Sequence, residues 1–172
     1  MGAGKTTLAE RLSQALEYEE LYIGGIMREI AEERGLSIEA FYEQLKDEPD
    51  LERSIDDRQA RMMHEKDNLI IQGRVAWFFA KESPFKVFNI FLGVSPEVGA
   101  KRSLERVENG GHTQDDMVNT NALRTQLELQ RYHALYGIED FLDPKHYDFV
   151  LDTTDLTEMR VLERIMREIK KR

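Results

Sequence analysis

Apolar positions along this chain follow two rhythms. Leu8, Leu12, Ala15 and Leu16 recur at helical spacing and predict a helix over 5–18. Four short runs break that spacing: Glu20-Leu21-Tyr22-Ile23, Asn68-Leu69-Ile70-Ile71, Val87 to Leu92, and Tyr147 to Leu151. Apolar, mostly branched or aromatic, and bounded by turn residues, they predict strands over 20–23, 68–71, 87–92 and 147–151. Gly24-Gly25 predicts a turn into a helix over 26–34, and further helices are predicted over 37–46 and 49–65, divided near Pro49. A short helix or turn over 74–81 stops before Pro84. Ser95 or Pro96 opens a helix to about 108, Asn109-Gly110-Gly111 breaks it, and a long helix over 114–136 ends at Gly137. After the loop Asp152-Thr153-Thr154, a helix from about Leu156 closes the chain.

Short apolar strands separated by helices predict an α/β fold with a parallel sheet covered on both faces. The length, 172 residues, fits one domain over 1–172, and no repeat, low-complexity segment or linker interrupts it.

The first residues add chemistry to that frame. In Met1-Gly2-Ala3-Gly4-Lys5-Thr6-Thr7, the run Gly4-Lys5-Thr6 matches the end of the phosphate-binding pattern G-x-x-x-x-G-K-[ST]. Glycines let backbone amides approach a phosphate and supply the positive-φ turns such a loop needs. The helix starting near Lys5 adds free amides and its positive dipole end. Gly2, Ala3, Gly4, Lys5, Thr6 and Thr7 are therefore the candidate nucleotide-binding residues, with Lys5 reaching the β/γ-phosphates and Thr6 holding Mg²⁺. The pattern's first glycine, and the strand that normally feeds the loop, fall ahead of residue 1. The expectation is a three-layer P-loop NTPase whose first central strand is missing from the chain, with a coding start placed too late.

Composition narrows the classes. A formal net charge of −9 argues against bulk electrostatic binding to nucleic acid or an anionic membrane. Without cysteine there is no disulfide, thiolate-held zinc or thiol catalysis. No apolar run is long enough to span a bilayer and no signal-peptide pattern is present, so a cytoplasmic protein is expected. His64, His112, His133 and His146 stand at no metal-ligand spacing.

The arginines sharpen the reading. Phosphoryl transfer is mostly positioning and charge neutralisation, and transfer to a second nucleotide needs arginines on it and a lid against water. Arg74 follows Gly73 straight after a predicted strand, where open α/β sheets bind ligands. Arg28 lies one turn into a helix after another strand. Arg102 and Arg106 share a helix face, as do Arg124 and Arg131 with Glu128 between them. A lid over about 102–124, with Gly110-Gly111 at its tip, is expected. Ordinary surface pairing with neighbours such as Glu105 or Glu128 is the other reading of these helix-face arginines.

In order along the chain stand the P-loop, Gly24-Gly25-Ile26-Met27-Arg28, Asp56-Asp57-Arg58-Gln59, Gly73-Arg74, and Arg124 to Arg131 followed by Tyr132-His133-Ala134-Leu135-Tyr136-Gly137-Ile138. This series resembles the cytidylate kinase family in its short archaeal-type form, over nearly the whole chain. The resemblance implies a nucleoside monophosphate kinase that moves the γ-phosphoryl of ATP, with Mg²⁺, to CMP or dCMP, giving ADP and CDP or dCDP. It implies catalytic roles for Lys5, Arg74, Arg124 and Arg131, and acceptor binding by Arg28, Arg58, Arg74, Glu128 and Arg131. Helices over about 26–65 would form the acceptor region, Arg102 and Arg106 would fall where the lid begins, and the 152–154 loop would lie near the adenine. The partners implied are small molecules, with no nucleic acid, no membrane and a monomeric chain.

The chain departs from the family at Gly25, where an aspartate or small residue is usual, and at Gln72, where an acid normally supports the Mg²⁺ shell. Ile23 and Val75 are apolar where some relatives have polar contacts. These departures leave two alternatives: a related kinase with another acceptor, such as UMP or a non-nucleotide, or a protein that binds nucleotide without turnover.

Overall fold

The described strands pair in parallel, as the alternation of apolar runs and helices predicts, but as two separate pairs rather than one sheet. The computed structural model describes residues 1–45, 47–105 and 113–172. In chain order the elements are α1 (Lys5–Leu16), β1 (Glu19–Tyr22), α2 (Ile23–Glu33), α3 (Ile38–Leu45), α4 (Pro49–Glu65), β2 (Leu69–Gln72) and α5 (Ala76–Phe79). There follow β3 (Ile90–Gly93), α6 (Pro96–Leu104), α7 (Gln114–Tyr136), β4 (Phe149–Asp152) and α8 (Glu158–Lys170). Short 3₁₀ turns lie at Ala80–Glu82 and Pro144–His146. Strand β1 pairs with β2, Glu19 opposite Leu69 and Tyr22 opposite Gln72. Strand β3 pairs with β4, Ile90 opposite Phe149 and Gly93 opposite Asp152. Parallel neighbours need long crossovers, and the intervening helices supply them.

The chain gathers into two compact units, Ala9–Val87 and Met1–Leu8 with Phe88–Arg172. The core of the Ala9–Val87 unit is Leu21, Ile23, Met27, Ala31, Phe41, Leu45 and Ile55, drawn from β1, α2, α3 and α4. Ile26, Ile30, Tyr42, Leu69 and Ile71 pack around it. The Arg34 guanidinium lies 5.7 Å from the Phe41 ring centre and bonds both oxygens of Glu48 at 2.8 and 3.0 Å, joining the end of α2 to the start of α4.

In the other unit, Leu92, Ala100, Phe141, Leu151, Val161 and Ile165 are buried. Helix α8 is amphipathic, with Val161 and Ile165 four residues apart on its inward stripe. Helix α7 has firm ends. Thr113 and Asp116 form a reciprocal capping box at its start. At its end Gly137 takes a left-handed φ of 65° and donates to His133, while Ile138 donates to Tyr132.

Local details differ from the sequence expectation. Gly24-Gly25 is not a turn: α2 begins at Ile23 immediately after β1, and both glycines lie in its first turn. The reason is Tyr22, whose ring lies against that turn. A Cβ on Gly24 would stand 2.9 Å from the ring, and one on Gly25 2.8 Å from it. Helix α1 stops at Leu16 because Glu17 turns left-handed at φ 57°. Strands β1 to β4 run 19–22, 69–72, 90–93 and 149–152, shifted by one to three residues from the apolar runs. Helix α6 ends at Leu104, earlier than 108, and α8 opens at Glu158 behind its Thr157 cap.

Candidate nucleotide site

The amino-terminal loop has the backbone its glycines predict. Gly2 lies at φ 71° and Gly4 at φ 85°, both left-handed. Helix α1 starts at once at Lys5, and its first intrahelical bond runs from the Leu8 amide to the Gly4 carbonyl at 2.9 Å. The amides of Lys5, Thr6 and Thr7 precede that bond, in the first turn of the helix, where amide groups and the positive dipole end favour an anion. No acidic residue stands in the first turn of α1 to compete with an anion. A Cβ on Gly4 would meet no atom within 4 Å, so this face of the loop is clear. The opposite side is closed. A Cβ on Gly2 would stand 2.7 Å from the Gly99 Cα, and one on Gly99 2.7 Å from the Met1 carbonyl oxygen. Backbone lies on backbone there, with α6 as the floor. Lys5, Thr6 and Thr7 are half-buried, and Ala3 is buried. These features fit a phosphate group.

The same unit holds the loop after β4. Arg102, on α6, turns to this loop. Its guanidinium donates to the Thr153 hydroxyl at 3.2 Å and to the carbonyls of Thr153, Thr154 and Leu156 at 2.9, 3.3 and 3.3 Å. The reason is chemical: a turn leaves several carbonyls without ladder partners, and a five-donor guanidinium collects them. Asp152 accepts from the Thr154 amide and hydroxyl, at 2.8 and 2.6 Å. These two bonds hold its carboxyl below the ordinary aspartate range, against a smaller opposing effect of burial.

On α7, Arg124, Glu128 and Arg131 fall at i, i+4 and i+7 and share a face, as their spacing predicts. Glu128 is buried and both arginines are half-buried. The Nε atoms of the two arginines and Oε2 of Glu128 are shielded from solvent. Arg131 donates to the Tyr132 hydroxyl at 3.1 Å, its guanidinium 4.9 Å from that ring's centre. Tyr132 in turn packs edge-on against Phe141 at 5.6 Å. Arg106 and the Gly110-Gly111 tip of the expected lid lie outside the described residues.

The remaining arginines belong to the Ala9–Val87 unit. Arg28 is exposed, donates to the Tyr22 hydroxyl and lies 5.5 Å from that ring's centre. Arg58 is exposed on α4, and Arg74 is half-buried just beyond the carboxyl end of β2. Neighbouring α4 positions are unusual. Glu52, Asp56 and Gln59 are 2, 4 and 1% exposed, on the side that also buries Ile55 and Met63. Gln59 Oε1 lies 3.4 Å from where a Cβ on Gly73 would stand. Gln72 is buried at the end of β2, and its amide lowers the pKa of the nearby Glu20 carboxyl. Burial first, and the like charge of Glu10 second, raise the Glu20 pKa, with the Gln72 amide opposing them.

Sequence reasoning gave no role to Tyr22, Gly99 or Glu52, and named Asp56 and Gln59 of the polar stripe of α4 only within the Asp56-Asp57-Arg58-Gln59 motif. The stripe carries the i, i+4, i+7 signal of a helix face, yet its residue types read as solvent-facing. Among the described residues no group of three or more His, Cys, Asp or Glu side chains could hold a metal, and no helix is long and apolar enough to cross a membrane.

Residues 1–155 match the cytidylate kinase-like family. A cytidylate kinase of Methanopyrus kandleri is 36% identical over 164 residues, which cover 91% of this chain and 82% of that one. An S-adenosylmethionine-dependent nucleotide dehydratase of Lacinutrix mariniflava is 35% identical over 99% of this chain. That protein is much longer: the match spans 34% of its length. Among solved structures, a shikimate kinase of Bacteroides thetaiotaomicron superposes with a TM-score of 0.61 at 16% identity, covering 99% of this chain and 94% of that one. That likeness speaks to the fold, which is α/β with parallel strands and kinase-like.

Proposed function

The chain belongs to the cytidylate kinase-like family, and from that premise we propose that it transfers the γ-phosphoryl group of ATP to CMP or dCMP. The observation that carries this reading is the amino-terminal loop. Two left-handed glycines lead straight into α1, with the face over Gly4 clear and no acidic residue in the first turn. Such a loop suits a phosphate chain.

In this reading the loop amides and the first amides of α1 hold the ATP phosphates, and Lys5 neutralises charge at the β- and γ-positions. Mg²⁺, when bound, would supply charge neutralisation on the phosphates. Thr6 is the residue that would hold it, through its hydroxyl. Arg28, Arg58 and Arg74 hold the acceptor's phosphate. Arg124 and Arg131 stabilise the charge on the transferring group, with Glu128 toward the acceptor's sugar.

An oxygen of the acceptor phosphate attacks the γ-phosphorus. That bond forms as the bond from the γ-phosphorus to the β–γ bridging oxygen breaks, and ADP leaves with the electron pair. A phosphate monoester loses its second proton at about pH 6, so the nucleophile is already ionised and no general base is required. Positioning and charge complementarity then supply the rate.

A second reading, with another acceptor, draws on the apolar Ile23 and Val75 and on Gln72 in place of an acid. One panel separates the two. The protein is incubated with MgATP and CMP, dCMP, UMP, AMP or no acceptor, and ADP is measured. Stimulation by CMP or dCMP above all others is the expected result. Stimulation by another acceptor alone replaces CMP in the reading. Nucleotide binding without ADP in any arm leaves a binding protein and ends the kinase assignment.

A further inference from the structure

A loop that points its amides at a phosphate must point carbonyls the other way, into the protein. Ala3 sits at that turn and is 4% exposed. Its carbonyl oxygen therefore needs a donor from the interior. Thr153 lies 3.2 Å away through its hydroxyl, across 150 residues of sequence. It is itself 1% exposed.

We propose that Thr153 is a positioning residue for the phosphate-binding loop, with Arg102 fixing Thr153 in place. The proposal rests on the reading of residues 1–7 as a phosphate site. The Thr153 hydroxyl is within 2.9 Å of the Gly93 carbonyl as well as 3.2 Å of Ala3. A hydroxyl has one proton, so the two carbonyls share it. Gly93 also accepts from the Thr153 backbone amide at 2.9 Å and is paired without the hydroxyl. Gly93 thus has a second donor in that amide, and the hydroxyl is the donor that reaches Ala3 from the interior. Arg102 donates into the same hydroxyl at 3.2 Å, occupying an oxygen lone pair and leaving the proton directed at the carbonyls.

The turn that presents Thr153 has little freedom. Arg102 gathers the carbonyls of Thr153, Thr154 and Leu156. Asp152 caps the Thr154 amide, and the Ser95 amide donates to the Thr154 hydroxyl at 2.9 Å. A single guanidinium therefore organises the 153–156 turn, and one hydroxyl carries that order to the loop at Ala3. The loop is held on two sides, by the Gly99 backbone beneath Gly2 and by Thr153 at Ala3. A ligand that touches the 153–156 turn also bears on the phosphate loop through this bond, which ties base recognition to phosphate recognition.

Thr153→Val keeps the branched shape and removes only the donor. Binding of MgATP, Mg-tripolyphosphate and CMP is measured by calorimetry for wild type, Thr153→Val and Thr153→Ser, alongside thermal melting. The expected result is a loss of about tenfold in affinity for both MgATP and tripolyphosphate in the valine variant. CMP affinity should be unchanged, and serine should recover binding to within about twofold of wild type. Tripolyphosphate carries no base, so its loss locates the effect at the loop. Wild-type tripolyphosphate affinity in Thr153→Val overturns the proposal, as does an equal loss of CMP binding, which marks general damage. Should the valine variant not fold, a serine variant that folds yet loses MgATP binding overturns it as well. A wild-type protein that binds neither MgATP nor tripolyphosphate removes the phosphate site itself, and the functional reading falls with the proposal.

Discussion

Single side chains here do work that their type alone does not announce. Tyr22 fills the bare face that Gly24 and Gly25 leave on α2 and meets Arg28 above it. Gln72, an unexpected amide on sequence grounds, lies buried near Glu20 and lowers the pKa of its carboxyl. On balance that carboxyl carries a raised pKa, chiefly because burial disfavours its charge and Glu10 repels it. For an acid raised in the folded state, stability is fully present below the unfolded pKa, about 4.3, and is lost as pH rises through the folded value. Ionised Glu20 therefore weakens the fold at neutral pH. Glu20→Gln keeps the side chain's size and removes the charge. It should raise the urea midpoint at pH 7, with the gain shrinking to nothing toward pH 4. A variant less stable than wild type at pH 7 would show that the carboxylate is favourable where it stands. The burial of Glu20 was not visible in the alternation of its strand, because a four-residue run gives the period too few samples.

At the scale of elements, helix boundaries were legible wherever a cap was local. Ser95 before Pro96 and Gly137 after Tyr136 mark ends in the sequence and in the structure alike. Strand limits were less so, since a strand ends where its partner does. Gly99 separates the two kinds of information. Within α6 it reads as a weak helix position, about 1 kcal/mol worse than alanine. Its value lies outside the helix, under the Met1–Gly2 backbone. Gly99→Ala should then split two measurements. Melting temperature should hold or rise slightly, because α6 gains propensity. MgATP binding should weaken about tenfold or more, because a Cβ 2.7 Å from the Met1 carbonyl oxygen pushes the loop from its floor. Unaltered MgATP affinity would mean that the loop yields at no cost.

Across the whole molecule, the candidate residues divide between two compact units. The loop at 1–7, Arg102, Thr153 and the α7 trio belong to one, and Arg28, Arg58 and Arg74 to the other. Ligand-induced protection should follow that division. In hydrogen exchange, MgATP should slow amides in 1–7, near Gly99 and over 152–156, whereas CMP should slow amides from Tyr22 to Arg28 and around Arg74. Protection of the same amides by both ligands would contradict the assignment of donor and acceptor sides. The sequence by itself determined the order of helices and strands, the glycine loop before Lys5 and the ordered arginine motifs of the family. Those signals are local: apolar period, cap, turn and short motif are each written within a few neighbouring residues. The tertiary structure alone decided that Arg102 serves the 153–156 carbonyls, that Thr153 reaches Ala3, that Gly99 underlies Gly2, and that α4 buries Glu52, Asp56 and Gln59. Each of those depends on which distant backbone groups come within hydrogen-bonding or van der Waals reach, and no spacing along the chain encodes that distance.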